Sequence, residues 1–210
     1  MKNLTLFFLI ILMGATITRA QVKVGIKASG SIEAQRVNVR QGSIYSSDNF
    51  RSYSAGLIAE TNLFGNFFLQ PQLLYSRKGA TLLSTAANHD ARVRITYIEI
   101  PVNLVYKFDV PFGNVYAGAG AAIGYAISGR QKQGGSSASI FSKGNHDWKR
   151  EDISLGFTAG VQFDNGLFAS INSQKGLADI NKSAGVSVRN KSMSVSVGYM
   201  IDWNKFKRKA

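Results

Sequence analysis

The chain has no cysteine, three prolines and two histidines in 210 residues, and only 12 acidic residues against 25 basic ones. Each scarcity removes a class of explanation. Without cysteine there is no disulfide, no thiolate metal site and no lipid anchor on an N-terminal cysteine. The two histidines, His89 and His146, each stand beside an aspartate, Asp90 and Asp147. Neighbours in an extended segment point apart, and these groups show no recognisable ligand spacing. Serines are too abundant to single out a nucleophile. The reading is of a protein that is not an enzyme and holds no cofactor or metal. Long apolar runs are also missing after the first twenty residues, which argues against a helical membrane protein.

What is present begins with an export signal. Lys2 precedes an apolar stretch from Leu4 to Met13, and Thr18-Arg19-Ala20 supplies a small-x-small cleavage site before Gln21. The apolar stretch is short for a bilayer span. Residues 1–20 therefore read as a cleaved signal peptide, leaving about 190 residues, enough for one domain. The net charge of +13 falls to +11 when Lys2 and Arg19 are removed. Export argues against nucleic acid as the partner. Outer-membrane lipid, lipopolysaccharide phosphates or an anionic envelope protein suit the charge better, and plain solvation of basic loops is the alternative.

Behind the signal, apolar residues recur every second position. In RITYIEIPVNLVYKF the apolar set is Ile98, Ile100, Val102, Leu104, Tyr106 and Phe108, with Glu99, Asn103 and Lys107 between them. That is the period of a strand with one oily and one wet face. Eight such segments follow: about 22–32, 51–63, 66–78, 94–108, 114–128, 151–163, 167–175 and 192–203. Gly65-Asn66, Asp109 to Gly113, and Asp164-Asn165-Gly166 read as short turns. Glu33–Asn49, Thr81–Asp90, Gly129–Arg150 and the residues up to Asn190 read as long loops. Pro71 and Pro101 lack an N–H, so a local gap in the ladder is expected at each. Gly118, Gly120 and Gly124 lie inside a strand and do not form a phosphate-binding turn.

Short turns alternating with long loops suit an all-β, eight-stranded antiparallel up-and-down transmembrane β-barrel, with short turns in the periplasm and long loops outside. Tyr53, Phe64, Phe67, Tyr75, Tyr106, Phe108, Phe163 and Trp203 fall near strand ends, as interfacial aromatics do. A soluble barrel would put the oily face inside. The wet faces here are rich in Gly and Ser and poor in surface-type Lys and Glu, which favours the membrane. The barrel is expected over 21–204, with 205–210 a short basic periplasmic tail.

The segments FFLQPQLLYSRKG (67–79), YIEIPVNLVYKF (97–108), VYAGAGAAIGY (115–125) and NSQKGLADI (172–180) resemble the outer-membrane β-barrel domain proteins of the porin or PorT-like kind. That resemblance implies a location in the bacterial outer membrane and a small OmpA/OmpX-type barrel. It names no ligand, because such proteins share fold more than activity. One departure is that Trp203 is followed by NKFKRKA rather than ending the chain.

Two groups of side chains carry functional expectations. Lys23, Lys27, Glu60, Gln70, Gln72, Glu99, Asn103 and Lys107 fall on inner faces. Charges in a narrow lumen are costly unless paired, so these residues are expected to form one polar network that fills the barrel. Arg36, Arg40, Arg92, Lys132, Lys143, Lys149 and Lys182 fall in or beside loops and could meet anions. The expected role is structural, adhesive or binding, with a side-chain-filled lumen. The alternatives are a narrow porin-like channel for small solutes and, less favoured, a lipid-modifying barrel enzyme.

Overall fold

The computed structural model describes residues 22–39, 46–48, 50–83, 91–133, 136–141, 148–180 and 186–202. They form ten strands: β1 (Val22–Val39), β2 (Ser46–Asp48), β3 (Phe50–Phe64), β4 (Phe67–Leu83), β5 (Ala91–Val110), β6 (Gly113–Gln133), β7 (Ser136–Ser139), β8 (Glu151–Phe163), β9 (Leu167–Gly176) and β10 (Val186–Asp202). Eight of them close a ring in the order β1-β3-β4-β5-β6-β8-β9-β10, and β10 returns to β1. Every pairing in the ring is antiparallel, the closure included, and the eight long strands follow one another round the ring in chain order. The short strands β2 and β7 add to β4 and β6 outside the ring. Among the described residues no helix is long and apolar enough to cross a membrane.

Alternation decides which side each residue faces. On β8 the exposed residues are Ile153, Leu155 and Phe157, whereas Asp152, Ser154 and Thr158 are buried. On β10 Met193, Val195, Val197 and Tyr199 are exposed, and Ser192 and Ser196 are buried. The barrel is therefore oily outside and polar inside, the reverse of a soluble protein. That pattern is stable only where hydrocarbon replaces water around the wall.

The two ends differ. At one end tight turns join β3 to β4, β5 to β6 and β8 to β9. Gly65 (φ 51°) and Gly166 (φ 92°) occupy backbone conformations that side-chain-bearing residues seldom adopt. Asn62 Nδ2 donates to the Gly65 carbonyl at 2.7 Å, and the Leu167 N–H donates to Asn165 Oδ1 at 3.0 Å. Around this end runs an aromatic chain. Phe64 meets Phe67 and Phe67 meets Tyr106, both at 5.0 Å between ring centroids, and Tyr106 meets Phe108 at 4.7 Å. Tyr53, Tyr75 and Tyr125 are exposed nearer the opposite, loop end.

The prolines sit beside gaps in the ladder. The β3–β4 register passes from Ile58↔Gln72 to Thr61↔Leu69, leaving Pro71 unpaired on that side. The β4–β5 register passes from Pro71↔Val102 to Leu74↔Glu99, leaving Pro101 unpaired toward β4. Each ring lacks the N–H that would have completed the missing bond.

Several strands run further toward the loop end than periodicity indicates. β1 continues to Val39 through residues read as loop, β4 to Leu83, β6 to Gln133, and β10 begins at Val186. β6 has 21 residues, whereas about 9–11 suffice to cross the hydrocarbon. Beyond the oily belt the outward face is no longer apolar, as at Arg92, Arg94, Arg130 and Lys132, so the oily outer stripe ends although the hydrogen-bond ladder persists. Residues 1–21 and 203–210, with the expected signal peptide, Trp203 and basic tail, lie outside the described residues.

Candidate functional site

The inward positions of all eight long strands converge on one lumen, and its side chains lie in layers. Nearest the turn end, Lys107 on β5 is almost fully buried. Its Nζ lies 2.6 Å from Glu60 Oε1 on β3 and also donates to Gln162 Oε1 on β8. Glu60 Oε2 accepts from Gln70 Nε2 at 2.8 Å, so both carboxylate oxygens are satisfied. The ammonium also stands 4.6 Å from the Phe68 ring centroid. Ile58, Phe168 and Met200 form a small apolar cluster within the barrel.

In the middle layer Lys27 Nζ donates to Gln72 Oε1 at 3.1 Å. Asn172 Nδ2 donates to Ser196 Oγ at 2.8 Å, and Thr158 Oγ1 donates to Asn172 Oδ1 at 2.9 Å. Ser29 and Ser196 share a hydrogen bond of 2.8 Å. A cavity of about 60 Å³ remains here, lined in part by Lys27, Gln72 and Asn103. It has room for a handful of waters. Asn103 is half-buried and lies over Gly120, where an added Cβ would come 2.2 Å from Asn103 Oδ1. The bare inner face of β6 is thus occupied by side chains of the adjacent strand.

Toward the loop end, Lys78 on β4 pairs with Glu99 and lies 3.6 Å from Asp152 Oδ2. Asn190 Nδ2 donates to the same Asp152 oxygen at 2.9 Å. Above this layer the lumen turns apolar. Val93, Ile95, Tyr97, Ala126, Ile140, Ile180 and Val188 form a buried cluster with Phe141 and Trp148 packed against it. Two backbone bonds from the loop segments, Lys149 N–H to the Ile180 carbonyl at 2.9 Å and Ile180 N–H to the Val188 carbonyl at 3.0 Å, hold this lid in place.

The structure therefore separates the expected single network into layers. Glu60, Gln70 and Lys107 meet each other, Lys27 meets Gln72, and Glu99 meets Lys78. Lys23 is half-buried near the turn end, in register with Glu60 on one side and Asp202 on the other. Lys78, Asp152, Gln162, Asn172 and Asn190 were not among the expected members. Most were nonetheless legible by parity: Lys78 lies two positions beyond Ser76, Asp152 two before Ser154, and Gln162 on the polar face of its strand. Among the described residues, seven ionisable side chains are buried in the lumen. Three are basic (Lys27, Lys78, Lys107) and four acidic (Glu33, Glu60, Glu99, Asp152). The lumen is close to self-neutral, as buried charge must be.

Three of the basic residues read as loop-borne lie in strands instead. Arg36 is in β1, Arg92 in β5 and Lys132 in β6, because the hairpins continue as ladders past the oily belt. Arg92 and Lys132 are exposed and stand directly opposite one another in register. Lys149 is exposed after the lid segment. Arg40, Lys143 and Lys182 lie outside the described residues, as do His89 and His146. Among the described residues no group of three or more His, Asp or Glu is placed to hold a metal ion.

Three solved structures give a measure of likeness. Neisserial surface protein A is 16% identical, with 85% of this chain and 96% of that one covered, at a TM-score of 0.44. Ail, the attachment invasion locus protein of Yersinia pestis, in complex with the heparin analogue sucrose octasulfate, is 16% identical over 87% of this chain and 99% of that one, at 0.43. The outer membrane protein OprG of Pseudomonas aeruginosa is 8% identical over 87% and 96%, at 0.49. Among curated proteins, no sequence matches the chain. Residues 18–182 match the family described as outer membrane protein beta-barrel domain. With its closed, inside-out ring of eight long strands, the chain belongs to that family and is a β-barrel of the bacterial outer membrane.

Proposed function

We propose that this protein is a plugged outer-membrane barrel whose work is structural or binding rather than transport. The filled lumen carries this reading. Three layers of hydrogen-bonded polar side chains occupy it, and an apolar lid covers them at the loop end. Eight strands enclose just enough space for side chains to fill, and the cavity of about 60 Å³ is lined by the Lys78–Glu99 pair, with the Lys107–Glu60 pair lying further toward the turn end. An aqueous path would have to break several charge-assisted hydrogen bonds at once.

In this reading the signal peptide is removed near Ala20, the turn end faces the periplasm and the loop end faces outward. Lipid and lipopolysaccharide surround the wall, and the loop end offers a surface to an envelope partner. Planar-bilayer recording of the purified mature protein tests the plug. The expected record shows no large, stable openings. Steady pores in most insertions would overturn the reading in favour of a diffusion channel.

A further inference from the structure

Outside the lumen, the wall at the loop end concentrates positive charge. Arg92 stands opposite Lys132, and Arg94 opposite Arg130, on adjacent strands β5 and β6. Residues at even positions of β5 face outward along this stretch, as do Arg130 and Lys132 on β6 after the register shift at Thr96/Tyr97. Arg77 on β4 pairs with Thr96 and joins the same group. These five cations and Tyr75 line one groove of about 320 Å³. Among the residues whose side chains are described, no acidic one lines it.

Like charges directly opposite on one face of an antiparallel pair repel each other. Two such pairs in succession gather four cations on one face, a repulsion that a bound anion would relieve. Arg94 is held by a ring rather than by a carboxylate: its guanidinium lies 5.6 Å from the Phe50 ring centroid, and its buried Nε has no hydrogen-bond partner. Four of the five cations are arginines, whose forked donors match the oxygens of a phosphate. Lys175 and Lys191 make a further exposed like-charge pair on β9 and β10, so the positive collar is not confined to one sector.

The position of the groove selects among anions. Immediately toward the barrel middle, on the same outward wall, lie Tyr75, Ile100, Ile123, Tyr125 and Ile127, all exposed. A soluble anion has no use for this apolar surface. An amphiphile uses both parts, with phosphate against the arginines and acyl chains along the wall below. We infer that the groove formed by Arg77, Arg92, Arg94, Arg130 and Lys132 binds the phosphate groups of an outer-leaflet glycolipid of the lipid A type. The inference rests on the loop end facing outward, which the proposed function also assumes, but not on the plugged lumen. A conducting lumen would leave it standing, and a failure to bind lipid would leave the plug standing.

The test is native mass spectrometry of the purified full-length mature barrel in detergent. The probes are phosphorylated lipid A, the same lipid with its phosphates removed, and inorganic phosphate. Phosphorylated lipid A is expected to be retained, and to be lost as salt rises through the range where the Debye length shortens to a few ångströms. The variant Arg92→Gln/Arg94→Gln/Arg130→Gln/Lys132→Gln should weaken that retention by about tenfold or more, as four charge-assisted contacts are lost. A second variant losing four charges from Lys205, Lys207, Arg208 and Lys209 should bind as the parent does. The corresponding Arg→Lys variant, keeping the charge, shows that loss is not misfolding if it recovers most of the binding, and heat-modifiable gel migration confirms the barrel in each case. Equal retention of the dephosphorylated lipid, competition by inorganic phosphate at matched concentration, or equal loss from the C-terminal variant would each overturn the inference.

Discussion

Lys107→Met is the substitution whose effect follows most directly from the lumen geometry. Lys107 and Glu60 are 3% and 1% exposed, with 2.6 Å between Nζ and Oε1. Methionine keeps most of the stem's volume but removes the charge. Glu60 is left with the Gln70 N–H alone, and Gln162 Oε1 loses the donor it shared. Breaking one side of a buried pair costs about 3–5 kcal/mol, because the remaining charge stays desolvated. Removing both charges, as in Lys107→Met/Glu60→Gln, leaves no orphaned ion, so most of that loss should be recovered. The coupling energy in the double-mutant cycle is expected at about 2–4 kcal/mol. Urea titration of protein refolded into lipid vesicles, read by tryptophan fluorescence and by heat-modifiable migration, supplies all four stabilities. A single-variant cost below about 1 kcal/mol, the range of solvent-exposed pairs, would refute the argument. So would a double variant as unstable as the sum of the singles.

Further outcomes follow from other parts of the wall and lumen. Ile123→Arg, at an outward position 61% exposed, should cost about 2–4 kcal/mol in vesicles, whereas Leu167→Arg at the turn end, 49% exposed, should cost about 0–1 kcal/mol; paired urea titrations give the difference. Gly166→Ala forces a side chain onto a φ of 92° with its Cβ 2.3 Å from the Met200 carbonyl oxygen, and should lower stability by about 1–3 kcal/mol, seen as a reduced urea midpoint. Ile95→Ala removes a side chain 1% exposed in the apolar lid and should cost about 2–5 kcal/mol. Bilayer recordings of that variant should stay closed, because the Lys78, Glu99 and Asp152 layer lies beneath the lid.

How far the sequence reaches can be judged strand by strand. β8 is legible to its ends, since both termini of Glu151–Phe163 coincide with loss of alternation and with the Asp164-Asn165-Gly166 turn. The loop-side ends of β1, β4, β6 and β10 are not, because a ladder that has left the hydrocarbon has no reason to keep one face oily. Arg92 and Lys132 therefore look like loop residues although they are paired strand residues. Within the lumen, parity sorts side chains inward but does not reveal partners. Lys78 and Asp152 meet only because β4, β5 and β8 face a common axis, a relation set by closure of the ring. The lid is only partly legible: Val93, Ile95 and Tyr97 alternate along β5, but Ile140 and Ile180 are single apolar residues in polar segments, and only the folded arrangement brings them onto that strand.

The most direct test of the account uses the absence of cysteine, which allows one thiol to be placed at a time. Nitroxide labels at Val195, Ser196 and Val197 on β10 should alternate in vesicles: residues 195 and 197, which are 62% and 59% exposed, collide freely with dissolved oxygen, and residue 196, 1% exposed, does not. Equal accessibility at all three positions, or oxygen reaching residue 196 while its neighbours are shielded, would contradict a barrel that turns its hydrocarbon side chains to lipid and packs its polar ones around the axis.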